Sequence, residues 1–214
     1  MDTRSLSSLA ALGLFLLHCL VPESASAEAD VYDLVDGSVR FTCEGDKVVV
    51  PAWGKFGAVS SHVRADPADI AKTKGHVEVL LSSVNTEDSG WDDAFRRAEF
   101  LGIEEHPKAR FAIRRIEGVK DFRPNRWNHV LLVGQFSLHG IEREVSVPAG
   151  IRWTKASKGK AEELYVRAYL HITWDQYEIP VPGGITRTFA GSGARIQVEL
   201  KYQRKASAQK GHKP

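Results

Sequence analysis

The sequence has 214 residues, of which 43% are hydrophobic and 26% charged, with a formal net charge of +2. This is the composition of a globular protein and excludes a disordered or collagen-like chain. The weak, scattered positive charge argues against a nucleic-acid partner.

Leu9 to Val21 is almost purely apolar, is ended by Pro22 and Glu23, and is followed by Ala25-Ser26-Ala27. A short apolar run closed by a small-x-small triplet predicts a secretory signal over 1–27, too short to remain as a bilayer-spanning helix. Cys19 inside the run keeps open a lipidated leader, although His18 is a poor residue before a lipidated cysteine. The expected mature protein is periplasmic or secreted. The leader carries Arg4, Asp2 and Glu23, so its removal takes the formal charge from +2 to +3. It also leaves Cys43 as the only cysteine. No internal disulfide can then form, and stability must come from packing.

Downstream, strand patterns dominate. Val39 to Glu44, His76 to Leu81 and Arg110 to Arg114 alternate apolar and polar residues with the two-residue period of a half-buried strand. His129 to Leu138 places Val130, Leu132, Gly134, Phe136 and Leu138 on one face. Arg143 to Val147, Leu164 to Ile172 and Ala194 to Tyr202 alternate in the same way. Residues 89–101 depart from this period. There Trp91, Phe95 and Ala98 form a helical stripe, Asp88 or Ser89 suits the N-cap, and Asp92 and Asp93 precede Arg96 and Arg97 in the order the helix dipole favours. Lys155 to Glu163 reads as an exposed hairpin tip, and 205–214 as a disordered basic tail. Many strands, one helix and closely spaced turns predict an all-β sandwich or barrel.

The chain resembles the YceI-like family in order over about 32–202. Ser38-Val39-Arg40-Phe41 is similar to its first strand, and Gly54-Lys55-Phe56-Gly57 with Asp66-Pro67 to its Gly-x-Phe turn and Asp-Pro pair. Thr86, Asp92, Phe95-Arg96 and Glu99-Phe100-Leu101 match the region of its helix, and His106-Pro107 to Phe111 its aromatic-Pro segment. The most specific match is Gly134-Gln135-Phe136-Ser137-Leu138-His139-Gly140 followed by Val145-Ser146-Val147-Pro148, and Asp175-Gln176-Tyr177 matches a late Asp-x-aromatic segment. Trp91, Ala94, Trp174 and Glu178 depart from the family's usual Arg, His, Arg and Gly, which removes polar groups near the presumed cavity mouth. The resemblance implies an eight-stranded antiparallel, lipocalin-like β-barrel over 28–204 with one short helical insertion at about 89–101. It also implies an exported protein that holds a long apolar ligand, either a polyisoprenoid, an isoprenoid quinone or a fatty-acid derivative.

Such a ligand is held by removal of apolar surface from water, at about 25 cal/mol per Å². The candidate ligand-binding residues are Phe41, Cys43, Val79, Trp91, Phe95, Phe111, Phe136, Leu138, Trp174 and Tyr177. Any of them can equally serve as barrel filling. No Gly-x-Ser-x-Gly elbow, His-Glu-x-x-His or phosphate loop occurs, and the histidines lack metal-site spacing. The expectation is therefore no catalytic residue, no metal and no cofactor. Two alternatives stay open: a barrel enzyme using Cys43 or His139 on such a lipid, and a ligand-free, stress-related interaction module. Transient contact of the basic tail with a membrane surface and a homodimer are also open.

Overall fold

The computed structural model describes residues 29–44 and 52–206. The expected leader, with Cys19, and most of the basic tail lie outside the described residues.

Ten strands form one antiparallel sheet. They are β1 (Asp30–Glu44), β2 (Trp53–Phe56), β3 (Val59–Ala65), β4 (Lys74–Leu80), β5 (Val84–Asn85), β6 (Lys108–Glu117), β7 (Trp127–Leu138), β8 (Ile141–Thr154), β9 (Glu163–Thr173) and β10 (Gly193–Arg204). The order β1-β10-β9-β8-β7-β6-β4-β3 returns to β1, so eight strands close a barrel. The long β1 has two partners on one side. Its first part pairs with β3 from Asp30↔Ala65, and its last part pairs with β2 from Val39↔Phe56. The short β5 extends β2. The closing seam is extensive, since β1 and β10 pair from Tyr32↔Arg204 to Glu44↔Gly193.

The expected strands are all present, and most are longer than their alternation suggests. The hairpin tip after β8 is also present, closed by Ser157 pairing with Lys160. Inward positions of the strands build two apolar clusters, one at each end of the barrel. The upper one contains Phe41, Cys43, Phe95, Phe100 and Trp174. The lower one contains Tyr32, Val63, Phe122, Leu164 and Tyr202.

The helix differs from expectation. α1 spans Ser89–Arg96, and Asp88 caps it by accepting from the Trp91 N–H at 3.0 Å. It stops there because Arg97 takes an extended conformation (φ −62°, ψ 157°). The chain then turns, with Leu101 N–H donating to the Phe95 carbonyl and Ile103 N–H to the Arg96 carbonyl. Continuing the helix to Leu101 would hold Phe100 on the α1 axis; the turn instead folds Phe100 and Leu101 into the barrel end, where both are buried. A second short helix, α2 (Ile185–Ala190), was not expected. The Gly54-Lys55-Phe56 motif, read as a turn, belongs to β2. None of the helices among the described residues is long and apolar enough to cross a membrane.

Candidate functional site: the barrel interior

The inward faces of the strands do not meet. They surround a cavity of about 170 Å³, room for several waters at roughly 10–15 Å³ each. The lining extends from Phe95, Leu138 and Trp174 at the upper end to Phe122, Leu164 and Tyr202 at the lower. Along β10 it runs from Ala194 to Tyr202, about 27 Å of strand at 3.4 Å per residue. With strands tilted about 40°, this is about 20 Å along the barrel axis.

Two glycines make room for rings in this wall. A Cβ at Gly54 would lie 2.8 Å from the Phe41 ring, and one at Gly134 would lie 2.7 Å from the Phe111 ring and 2.3 Å from the Ala112 carbonyl. The Gly-containing motifs at 54–57 and 134–140 thus place Phe41 and Phe111 at the cavity. Phe41 also contacts Phe56 and Phe95, at 5.4 and 5.1 Å between centroids. The aromatic chain continues from Phe95 to Phe100 at 4.8 Å and from Phe100 to Trp174 at 5.1 Å. This chain ties α1 and the turn after it to the end of β9.

Of the residues nominated from sequence, Phe41, Val79, Phe95, Phe111, Phe136, Leu138 and Trp174 line the cavity. Trp174 turns its polar edge away, its Nε1–H donating to the Ala190 carbonyl at 2.9 Å. Cys43, Trp91 and Tyr177 are not part of the lining. Cys43 is packed in the upper cluster, 1% exposed, and burial pushes its thiol up to about 12. Trp91 is half-buried on α1 and stacks with Phe189 at 5.0 Å. Tyr177 stands behind Phe136, edge-on at 5.5 Å, and burial raises its phenol.

Sequence reading nominated few residues of the lower half. Leu164, Ala168, Leu200 and Tyr202 lie on strand faces whose alternation was visible, yet that alternation does not distinguish a wall from a filled core. Tyr202 reaches across to Ser61, with 2.9 Å between the hydroxyls, while the Ser61 hydroxyl donates to the His76 carbonyl at 2.9 Å. Burial pushes the Tyr202 phenol up to about 12. Thr73, which precedes β4, also lines the cavity. Nothing in its local sequence marks it out.

His139 forms the two-residue hairpin between β7 and β8 with Gly140, both at positive φ (52° and 77°). Its Nδ1 lies 3.2 Å from the Tyr177 carbonyl, and its ring stacks with that of His106 at 4.4 Å. Among the described residues, no three His, Cys, Asp or Glu side chains converge as a metal site would require.

The barrel has relatives of known structure. Burkholderia cenocepacia BcnA superposes with a TM-score of 0.62 at 19% identity, covering 79% of this chain and 98% of its own. The Campylobacter jejuni YceI protein gives 0.62 at 19%, covering 74% and 88%. A polyisoprenoid-binding domain from Saccharophagus degradans, implicated in plant cell wall breakdown, gives 0.63 at 14%, covering 84% and 100%. No protein of curated function matches the chain. The YceI-like domain matches residues 31–203, so the chain belongs to the YceI-like family.

Proposed function

We propose that this protein is an exported carrier that holds one long apolar lipid inside its barrel, either a polyisoprenoid, an isoprenoid quinone or a fatty-acid derivative. The observation that carries this reading is the cavity itself. It is an elongated void with an almost wholly apolar lining, reaching into both ends of a barrel whose own side chains do not fill it. A polar metabolite would lose its hydration there with little in return. A hydrocarbon chain gains about 0.8 kcal/mol per buried CH₂. The polyisoprenoid-binding relative from Saccharophagus degradans supports the same ligand class.

A binding role fits better than catalysis. The thiol of Cys43 is held protonated, away from the cavity wall. His139 is a hairpin residue facing His106 and a carbonyl. Neither is placed to attack a lipid in the cavity.

Native mass spectrometry of the protein purified from its own host, followed by solvent extraction, tests the proposal. The expected result is one bound apolar mass per barrel, released by organic solvent. Protein that is uniformly empty and takes up no isoprenoid or acyl chain from vesicles would end the carrier reading. N-terminal sequencing of the exported form checks the cut after Ala27.

A further inference from the structure

The polar side chains that reach the cavity wall illustrate how such groups are normally satisfied. The Trp174 indole N–H has the Ala190 carbonyl. The Tyr202 hydroxyl has Ser61, itself tied to the His76 carbonyl. Thr73 is the exception. It is 5% exposed, it lines the cavity, and its Oγ1 has no hydrogen-bond partner among the described residues. Its backbone N–H is committed, closing the short 3-10 turn Ile70–Lys72 by donating to the Ile70 carbonyl at 3.0 Å. The side chain therefore stands on a fixed segment at the lower end of the barrel, near Ala65 and Phe122 in the lining. A buried hydroxyl left unbonded keeps its full desolvation penalty, so it is rarely retained without a partner.

The chemistry of the missing partner is restricted by its surroundings. Lys72, the cation before Thr73, is committed to Asp66 and Asp69 at 3.7 and 3.5 Å. Lys74, the cation after it, donates to the Arg114 carbonyl at 3.3 Å. In the lining itself the cationic residue is Arg110, which turns its guanidinium to Glu78 at 3.2 Å and is substantially exposed. None of these cations is left to receive an anionic head at the Thr73 end. A phosphate or carboxylate placed there would be desolvated without compensation. A neutral oxygen would not.

We propose that Thr73 is a head-group site, its hydroxyl donating to an uncharged oxygen of the bound lipid (a quinone or amide carbonyl, or an alcohol), with the chain extending from there towards Trp174. This rests on the carrier reading above and deepens it, because it sets the direction of the ligand and excludes a charged head at that end.

The test uses four probes with closely similar tails: oleamide, oleyl alcohol, oleate and the hydrocarbon 1-octadecene. Each is titrated by Trp fluorescence into the parent, Thr73→Val and Thr73→Ser. Val keeps the shape of Thr and removes the hydroxyl; Ser keeps the hydroxyl. Thr73→Val is expected to weaken oleamide and oleyl alcohol by roughly three- to ten-fold, the range for one hydrogen bond. It should leave 1-octadecene unchanged, while Thr73→Ser retains the preference. Oleate should bind more weakly than oleamide. The infrared carbonyl band of ¹³C-labelled oleamide should shift to higher frequency in Thr73→Val. Equal binding of oleamide by parent and Thr73→Val, an equal loss for 1-octadecene, or tighter binding of oleate would overturn the head-group site while leaving the carrier intact. A parent that binds none of the four overturns both.

Discussion

The Phe100 ring meets the Trp174 indole edge-on, with centroids 5.1 Å apart and planes at 69°. Phe100 comes from the turn that follows α1, and Trp174 is the residue that follows β9. Their contact therefore fixes the helical insertion to the barrel. Phe100 is 1% exposed, belongs to the upper cluster and is outside the cavity lining. Its loss should act on stability before it acts on ligand space. Phe100→Ala is expected to destabilise the protein by about 3–5 kcal/mol, the usual cost of emptying a buried ring site. A urea midpoint close to that of the parent would show that the ring contributes little to holding the helical insertion.

The opposite experiment fills the void. Ala168 faces inward on β9 between Ala149 of β8 and Val198 of β10, and it lines the cavity. Ala168→Leu places methyl groups where the ligand chain would lie. Filling a true void gains about 0.5–2 kcal/mol, whereas overpacking a filled core costs about 1–3 kcal/mol. The expected outcome is an equal or higher melting temperature together with at least a tenfold loss of lipid affinity. A lower melting temperature with unchanged binding would mean that the ligand does not occupy this part of the barrel.

Much of the fold was legible because half-buried strands carry a period of two. Ala194 to Tyr202 shows this most clearly, and β10 follows it almost residue for residue. The helix was legible at its start, where Asp88 caps, and not at its end, because Phe100 and Leu101 are drawn inward by tertiary contacts that the helical stripe does not encode. β2 and β3 were missed since Gly54 and Gly57 read as turn residues; Gly54 is in fact a strand residue whose missing side chain admits the Phe41 ring. The same limit applies to the site. Alternation tells which residues face inward, so Phe41, Phe111 and Phe136 could be nominated. It does not tell whether opposite walls touch, so Cys43 was indistinguishable from its neighbours. Thr73 was out of reach, because an unpaired hydroxyl is visible only once every possible partner has a position.

Gly134 is a sequence motif with a steric meaning. In β7 it stands opposite Ile113, and a Cβ there would meet the Ala112 carbonyl and the Phe111 ring at 2.3 and 2.7 Å. The carbonyl belongs to a ladder strand and cannot swing aside as a flexible side chain could. Gly134→Ala should cost about 1–3 kcal/mol through overpacking, with the β6–β7 amides losing hydrogen-exchange protection. Unchanged protection and melting temperature would remove this explanation of the glycine.

Cys43 predicts both reactivity and alkaline behaviour. Burial pushes its thiol up to about 12, against roughly 8.5 when unfolded. The folded state thus favours the protonated form. Its contribution is complete below the unfolded value and is lost as pH rises towards the folded one. Tyr202, also pushed up to about 12 by burial, acts in the same direction from about 10 upward. The urea midpoint should therefore fall progressively between pH 8.5 and 12, and less steeply in Cys43→Ala, measured against its own neutral-pH value. At pH 8 the native thiol should be silent to a disulfide reagent and react on unfolding. Rapid labelling of the folded protein would instead reveal an accessible thiolate and revive the enzyme reading.

Glu163 governs the acid side. At the start of β9 its carboxylate accepts from Gln203 at 3.1 Å, pairs with Lys201 at 2.9 Å and accepts from the Tyr165 hydroxyl at 2.9 Å. These bonds favour the charged form and lower its pKa to about 2, against roughly 4.3 when unfolded. A depressed carboxylate stabilises the fold above its unfolded pKa, and that stabilisation is lost as pH falls from about 4.3 towards 2. Because the side chain retains 20% of its exposure, solvent screening holds the contribution to about 1 kcal/mol. Glu163→Gln should lower the melting temperature at pH 7, and the gap to the parent should close as pH approaches 2. It should also narrow in high salt. A gap that persists unchanged at pH 2 would show that Glu163 contributes through packing, with its charge making no difference.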